Sequence, residues 1–112
     1  MSAPRVGATD PAAAKLYLLV RRDLSRSMRN VQAAHAAIAL VVARGNRLAP
    51  VWGRDGPPIV LLGVESASGL AEWLDRLGAE AVPFREPDLG GALTAIAYWG
   101  PAAPEFAALR LL

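Results

Sequence analysis

Two short apolar runs rich in strand formers, KLYLLVRR at Lys15 to Arg22 and IVLLGVES at Ile59 to Ser66, are separated by a long alanine-rich stretch of helix-forming residues. Strands buried on both faces read as near-continuous apolar runs, and two of them joined through a helix pair in parallel by a right-handed crossover. That alternation confines the chain to an α/β fold.

The rest of the chain extends the pattern. After the first strand, DLSRSM offers Asp23, Ser25 and Ser27 as helix-capping oxygens. A first helix is predicted from about Met28 to Arg44, ended by Gly45 and Asn46, with Val31, Ala34 or His35, Ile38 and Val42 recurring at helical spacing as its sheet-facing stripe. The segment Arg44 to Pro58 is expected to be loop, anchored by Trp52. In SGLAEWLDRLG, Leu70, Trp73, Leu74 and Leu77 stand at i, i+3, i+4 and i+7, with Ser68 as candidate cap and Gly78 as terminator. AVPFRE is a short third strand whose Pro83 favours an edge, LTAIAYWG a fourth, and PAAPEFAALRLL a terminal helical turn. The expectation is one α/β domain over residues 15–112 with βαβαββ order, its four-stranded mixed sheet carrying helices on its faces. Residues 1–14 read as a loose, flexible arm.

Composition narrows the function. With 112 residues, 54% hydrophobic and 20% charged, the chain has enough apolar content for one core and none of the bias of disordered sequences. The absence of cysteine excludes disulfides, thiolate metal sites and thiol catalysis, and suits a reducing cytoplasm. The longest apolar run, Ala36 to Ala43, is far too short to cross a bilayer, so no membrane role is expected. With one histidine there is no metal-ligand spacing, and no GxGxxG, GxxxxGK[ST] or GxSxG occurs. Neither metal nor organic cofactor is expected.

Charge is unevenly spread. Residues 1–55 hold nine cations against three anions, and residues 56–112 three against seven. Eleven of the twelve cations are arginine, whose planar fork suits phosphate, so a polyanionic partner is a candidate beside the plainer reading of a solvated surface.

Four polar residues stand where open α/β sheets bind ligands, at strand ends and on the first helix. Asp23 follows the first strand, Gln32 and His35 share neighbouring positions on one helix face, and Asp88 lies in the turn after the third strand. Each has a bland explanation: a helix cap for Asp23, a packed side chain bonded to a carbonyl for His35, turn chemistry for Asp88 and Gly90.

Their order along the chain carries more. VRRDL at Val20 to Leu24, QAAHAA at Gln32 to Ala37, DLG at Asp88 to Gly90 and TAIAYWGP at Thr94 to Pro101 resemble the second, archaeal and eukaryotic class of peptidyl-tRNA hydrolases, over about residues 15–101. That resemblance implies cleavage of the ester between a peptide and the tRNA 3′ end, with Asp23, Gln32, His35 and Asp88 in a polar cleft. His35 or Asp88 would activate water, Gln32 would donate to the oxyanion or substrate carbonyl, and Arg22, Arg26 and Arg29 would meet RNA phosphates. The chain departs from the family where MRNVQ stands in place of its Gly-Lys pair, where Ala92 stands for its threonine, and where Ala33 or Ala34 stands for its cysteine. Arginine stays protonated and cannot replace the lysine as a base.

Two further readings stand beside the hydrolase. One is a non-catalytic tRNA- or RNA-binding or regulatory module of the same fold. The other is a homodimer in which Trp52, Trp99 and the apolar C-terminus form an interface without an RNA role.

Overall fold

β1 (Lys15–Arg21) forms the middle of the sheet, and its alternation sorts the core into two layers. Leu16, Leu18 and Val20 point to one face and Tyr17 and Leu19 to the other, all of them buried. A computed structural model describes residues 14–112. The expected N-terminal arm therefore lies outside the described residues except for Ala14, which is buried.

The remaining elements are α1 (Arg26–Trp52), β2 (Ile59–Val64), α2 (Ala67–Leu77), β3 (Ala81–Glu86), β4 (Ala92–Gly100) and β5 (Arg110–Leu111). They build one compact α/β domain with a mixed sheet in the order β3-β4-β1-β2-β5. β1 and β2 pair in parallel, as the crossover through α1 requires, and β4 inserts antiparallel between β1 and β3. β3 is an edge strand, which accommodates Pro83.

The expected four-stranded sheet is corrected to five. The C-terminal segment forms a 3₁₀ turn at Pro104–Ala108 and then adds β5 to the free edge of β2, with Leu111 opposite Leu62. Two residues carry too little pattern to read as a strand; the pairing depends on an edge that exists only in the assembled sheet.

The two faces pack differently. On one, α2 lays Leu70 and Trp73 against Tyr17, Leu19, Ile96, Tyr98 and Phe106, an aromatic layer in which the Phe106 ring lies 4.8 Å from Tyr17 and 5.0 Å from Trp73. Here the helix, its stripe and its Gly78 terminator (φ 68°) match the sequence pattern, with Ser66 rather than Ser68 as the cap. On the other face, Ala33 and Ala36 of α1 meet Ala95 and Ala97 of β4, so the helix backbone sits close to the sheet.

α1 overturns two expectations. It is capped by Ser25, whose hydroxyl accepts from the Met28 N–H, but it runs through Gly45 and Asn46 to a stop at Gly53 (φ 69°). Weak propensity at Gly45 is outweighed by packing beyond it: Leu48 is buried, Trp52 meets Trp99 edge-on at 5.7 Å, and Arg44 donates to the carbonyls of Ala79 and Glu80. The second correction concerns the buried face. Gln32, Ala33, Ala36, Leu40 and Leu48 face the sheet, whereas Val31, Ile38 and Val42 are exposed. The helix carries two apolar stripes, and periodicity cannot tell which one a sheet will cover.

Candidate functional site

The site is organised by an irregularity in the β3–β4 ladder. Phe84 pairs with Ala95 but Arg85 pairs with Leu93, so Thr94 is an unmatched extra residue in β4. A bulge of this kind turns two consecutive side chains towards the same face. Leu93 still joins the α2 side, while Thr94 and Ala95 both face α1.

Thr94 thereby meets Gln32. Its hydroxyl donates to Gln32 Oε1 at 2.6 Å, and Gln32 Nε2 donates in turn to Glu86 Oε1 at 2.9 Å. All three side chains are buried, Gln32 and Thr94 completely. The second Glu86 oxygen accepts from the backbone N–H of Asp88 at 3.3 Å. A buried carboxylate is costly unless bonded, and these donors meet that demand. The hydrogen bond from Gln32, helped by the Asp88 N–H and by His35, outweighs burial and holds the Glu86 carboxyl below its ordinary range.

The remaining expected site residues border this network. His35 lies one helical turn beyond Gln32 and stacks on Phe84, the rings 4.6 Å apart and 6° from parallel. Its residue is exposed, so one side of the imidazole faces solvent. Asp88 is exposed on the 3₁₀ turn Pro87–Leu89, which ends at Gly90 in left-handed conformation (φ 65°). Asp23 does not cap α1; its carboxylate accepts from Arg21 Nε and Nη2, both at 2.9 Å. That bidentate pair lowers the Asp23 pKa, and Arg21 Nη1 reaches on to the Leu93 carbonyl beside Thr94. Gln32, Asp88 and His35 are thus gathered around Glu86, and Asp23 joins through Arg21.

Sequence reasoning missed Glu86 and Arg21. The only signal for Glu86 was a carboxylate closing an apolar strand directly before a turn, a pattern that solvated strand ends share.

Arg22, Arg26 and Arg29 line a separate cleft of about 450 Å³ with Asn30, Leu61, Leu111 and Leu112, at the N-terminal end of α1. Arg22 extends across Gly63, where a Cβ would lie 2.6 Å from its side chain, and donates to the Leu111 carbonyl at 3.1 Å. Arg29 donates to the Leu24 carbonyl, and Arg26 has no ion pair among the described residues. The entrance to α1 therefore separates a basic cleft beside β2 and β5 from an acidic and imidazole-bearing edge beside β3 and β4.

No family model matches the sequence, and no curated protein matches it. Solved structures do match. One, a protein of unknown function from Agrobacterium tumefaciens strain C58, aligns with a TM-score of 0.60 at 14% identity, covering 89% of this chain and 98% of that one. At that identity the likeness is one of fold.

No helix among the described residues is long and apolar enough to cross a membrane. Trp52 and Trp99, which the homodimer reading of the sequence assigns to a dimer interface, are half-buried against each other within the chain.

Proposed function

We propose that the protein is a peptidyl-tRNA hydrolase-like esterase that cleaves the ester between a peptide, or another acyl group, and the tRNA 3′ end. The observation that carries this reading is the placement of two chemistries on either side of one helix entrance: three arginines around a cleft, and an exposed imidazole and carboxylate around a buried Glu86. Arginine forks bind RNA phosphates, and the other edge holds the groups a hydrolysis needs.

In this mechanism Asp88 or His35 takes a proton from water as its oxygen attacks the ester carbonyl. The tetrahedral intermediate then collapses, the ribose oxygen leaves, and the same proton is returned to it. Gln32 has no exposed surface and is bonded at both ends of its amide, so it acts as a positioning residue that holds Glu86, not as a donor to the oxyanion. Glu86 in turn fixes the Asp88 backbone, and Phe84 fixes the plane of His35. The reading needs neither metal nor organic cofactor, and it suits the cytoplasm, where tRNA esters are found.

The burial of Gln32 and the replacement of the family's lysine favour a second reading, a non-catalytic tRNA- or RNA-binding or regulatory module. A turnover assay on peptidyl-tRNA separates the two. The esterase reading expects cleavage by the wild type and a loss of at least about tenfold in His35→Ala or Asp88→Asn, each shown by circular dichroism to be folded. Salt-sensitive tRNA binding without cleavage by folded wild type supports the module.

A further inference from the structure

α1 presents to solvent a face that carries no charge. Val31, Ala34, Ile38, Val41 and Gly45 follow one another at spacings of three, four, three and four, the period of a coiled-coil seam, and Val42 flanks them. Among these, Val31 is 45% exposed, Ile38 59%, Val41 48% and Val42 82%. The cations of the helix are elsewhere: Arg29 bonds the Leu24 carbonyl, Arg44 the carbonyls of Ala79 and Glu80, Arg47 pairs with Glu80, and Arg26 lines the basic cleft. The stripe continues into an apolar trough of about 300 Å³ lined by Leu16, Ala37, Trp52, Pro57 and Ile59. A contiguous exposed patch of this kind marks an interaction surface.

We propose that this face is a dimer interface on which a second copy of the chain packs its own α1 antiparallel, with the twofold axis at Ile38. The residues are self-complementary about that point. Ala34 and Val42 lie four positions on either side of it, and Val31 and Gly45 seven, so Val42 of one copy opposes Ala34 of the other and Val31 opposes Gly45, while Ile38 meets its own copy and Val41 meets His35. Isologous interfaces require this correspondence of i with j and j with i. A partner of unrelated sequence does not. Complete closure of these exposed side chains removes at most roughly 500 Å² from each copy, about 1,000 Å² in all, the lower limit for a specific interface. His35 borders the stripe one turn after Val31, so association also shields one flank of the imidazole.

Sedimentation equilibrium over roughly 1 μM to 1 mM, the range in which a small interface dissociates, tests the proposal. The wild type is expected to approach twice its monomer mass with rising concentration, and Ile38→Asp and Val42→Glu to remain monomeric with unchanged circular dichroism. Both substitutions fall on exposed positions, so folding is retained. Because the axis sets residue 38 against itself, Ile38→Asp mixed with Ile38→Lys is expected to re-form a dimer that neither variant forms alone. A wild type that stays monomeric overturns the proposal, whether or not it binds phospholipid vesicles. So does a dimer that survives both single substitutions, or a mixture that fails to associate.

Discussion

Gln32 Nε2 donates to Glu86 Oε1 at 2.9 Å, joining the first helix to the end of the third strand across 54 positions of sequence. The contact fixes a buried carboxylate against the turn that carries Asp88, and it depends on the Thr94 hydroxyl, which occupies the other end of the same amide.

Removing that hydroxyl isolates its contribution. Thr94→Val keeps the shape and leaves Gln32 Oε1 buried without its donor, a loss expected to destabilise the fold by about 1–3 kcal/mol. Urea unfolding at neutral pH measures it. An unchanged midpoint with an unchanged slope is incompatible with the network as described.

The Glu86 carboxyl is easier to ionise folded than unfolded. Its contribution is therefore complete above the ordinary glutamate value of 4.5 and is lost as pH falls through the lower folded value. Glu86→Gln should flatten the acid side of the stability profile relative to wild type. Asp23, also depressed by Arg21, has the same sign, so some acid sensitivity remains in that variant. Thermal midpoints recorded from about pH 6 down to about pH 3 compare the two proteins over the window in which these groups protonate.

Arg26 lines the basic cleft without an ion pair among the described residues, so its charge is free to act on a polyanion. Under the proposed function, Arg26→Ala should weaken tRNA binding and reduce the slope of log affinity against log salt by about one, with stability unchanged within about 0.5 kcal/mol. Fluorescence anisotropy titrations at several salt concentrations read both quantities.

Gly63 leaves room for Arg22 to cross the sheet edge and hold Leu111. Gly63→Ala should displace that side chain, accelerate hydrogen exchange in β5 and, under the proposed function, weaken tRNA binding by more than Arg26→Ala does. Equal exchange protection at Arg110 and Leu112 in variant and wild type would show that Arg22 does not hold β5.

Trp52 secures the last turns of α1 against Trp99. Trp52→Ala is expected to cost about 2 kcal/mol, less than a fully buried tryptophan, and to fray the helix back towards Gly45, seen as lost ellipticity at the helical band.

Local pattern determined a good part of this protein. The runs around Leu18 and Leu61 specified strands, the four apolar residues of α2 specified its buried face, and Pro83 specified an edge. Ordered motifs also picked out Gln32, His35 and Asp88, which the fold gathers around one carboxylate. The resemblance to tRNA esterases rests on those same motifs.

What only the tertiary structure decided has a common physical origin: it depends on neighbours remote in sequence. α1 continues past Gly45 because Trp99 and the carbonyls of Ala79 and Glu80 await its last turns. Its inner face follows the alanines because Ala95 and Ala97 offer a shallow surface, which leaves Ile38 and Val42 outside. Thr94 joins the site because it is an unmatched residue in β4 whose hydroxyl is turned into the path of Gln32, while Glu86 follows Val82 and Phe84 on the same face of β3. Hydrophobic periodicity records which residues prefer to leave water, and a bulge or a second apolar stripe changes where they go without changing that preference.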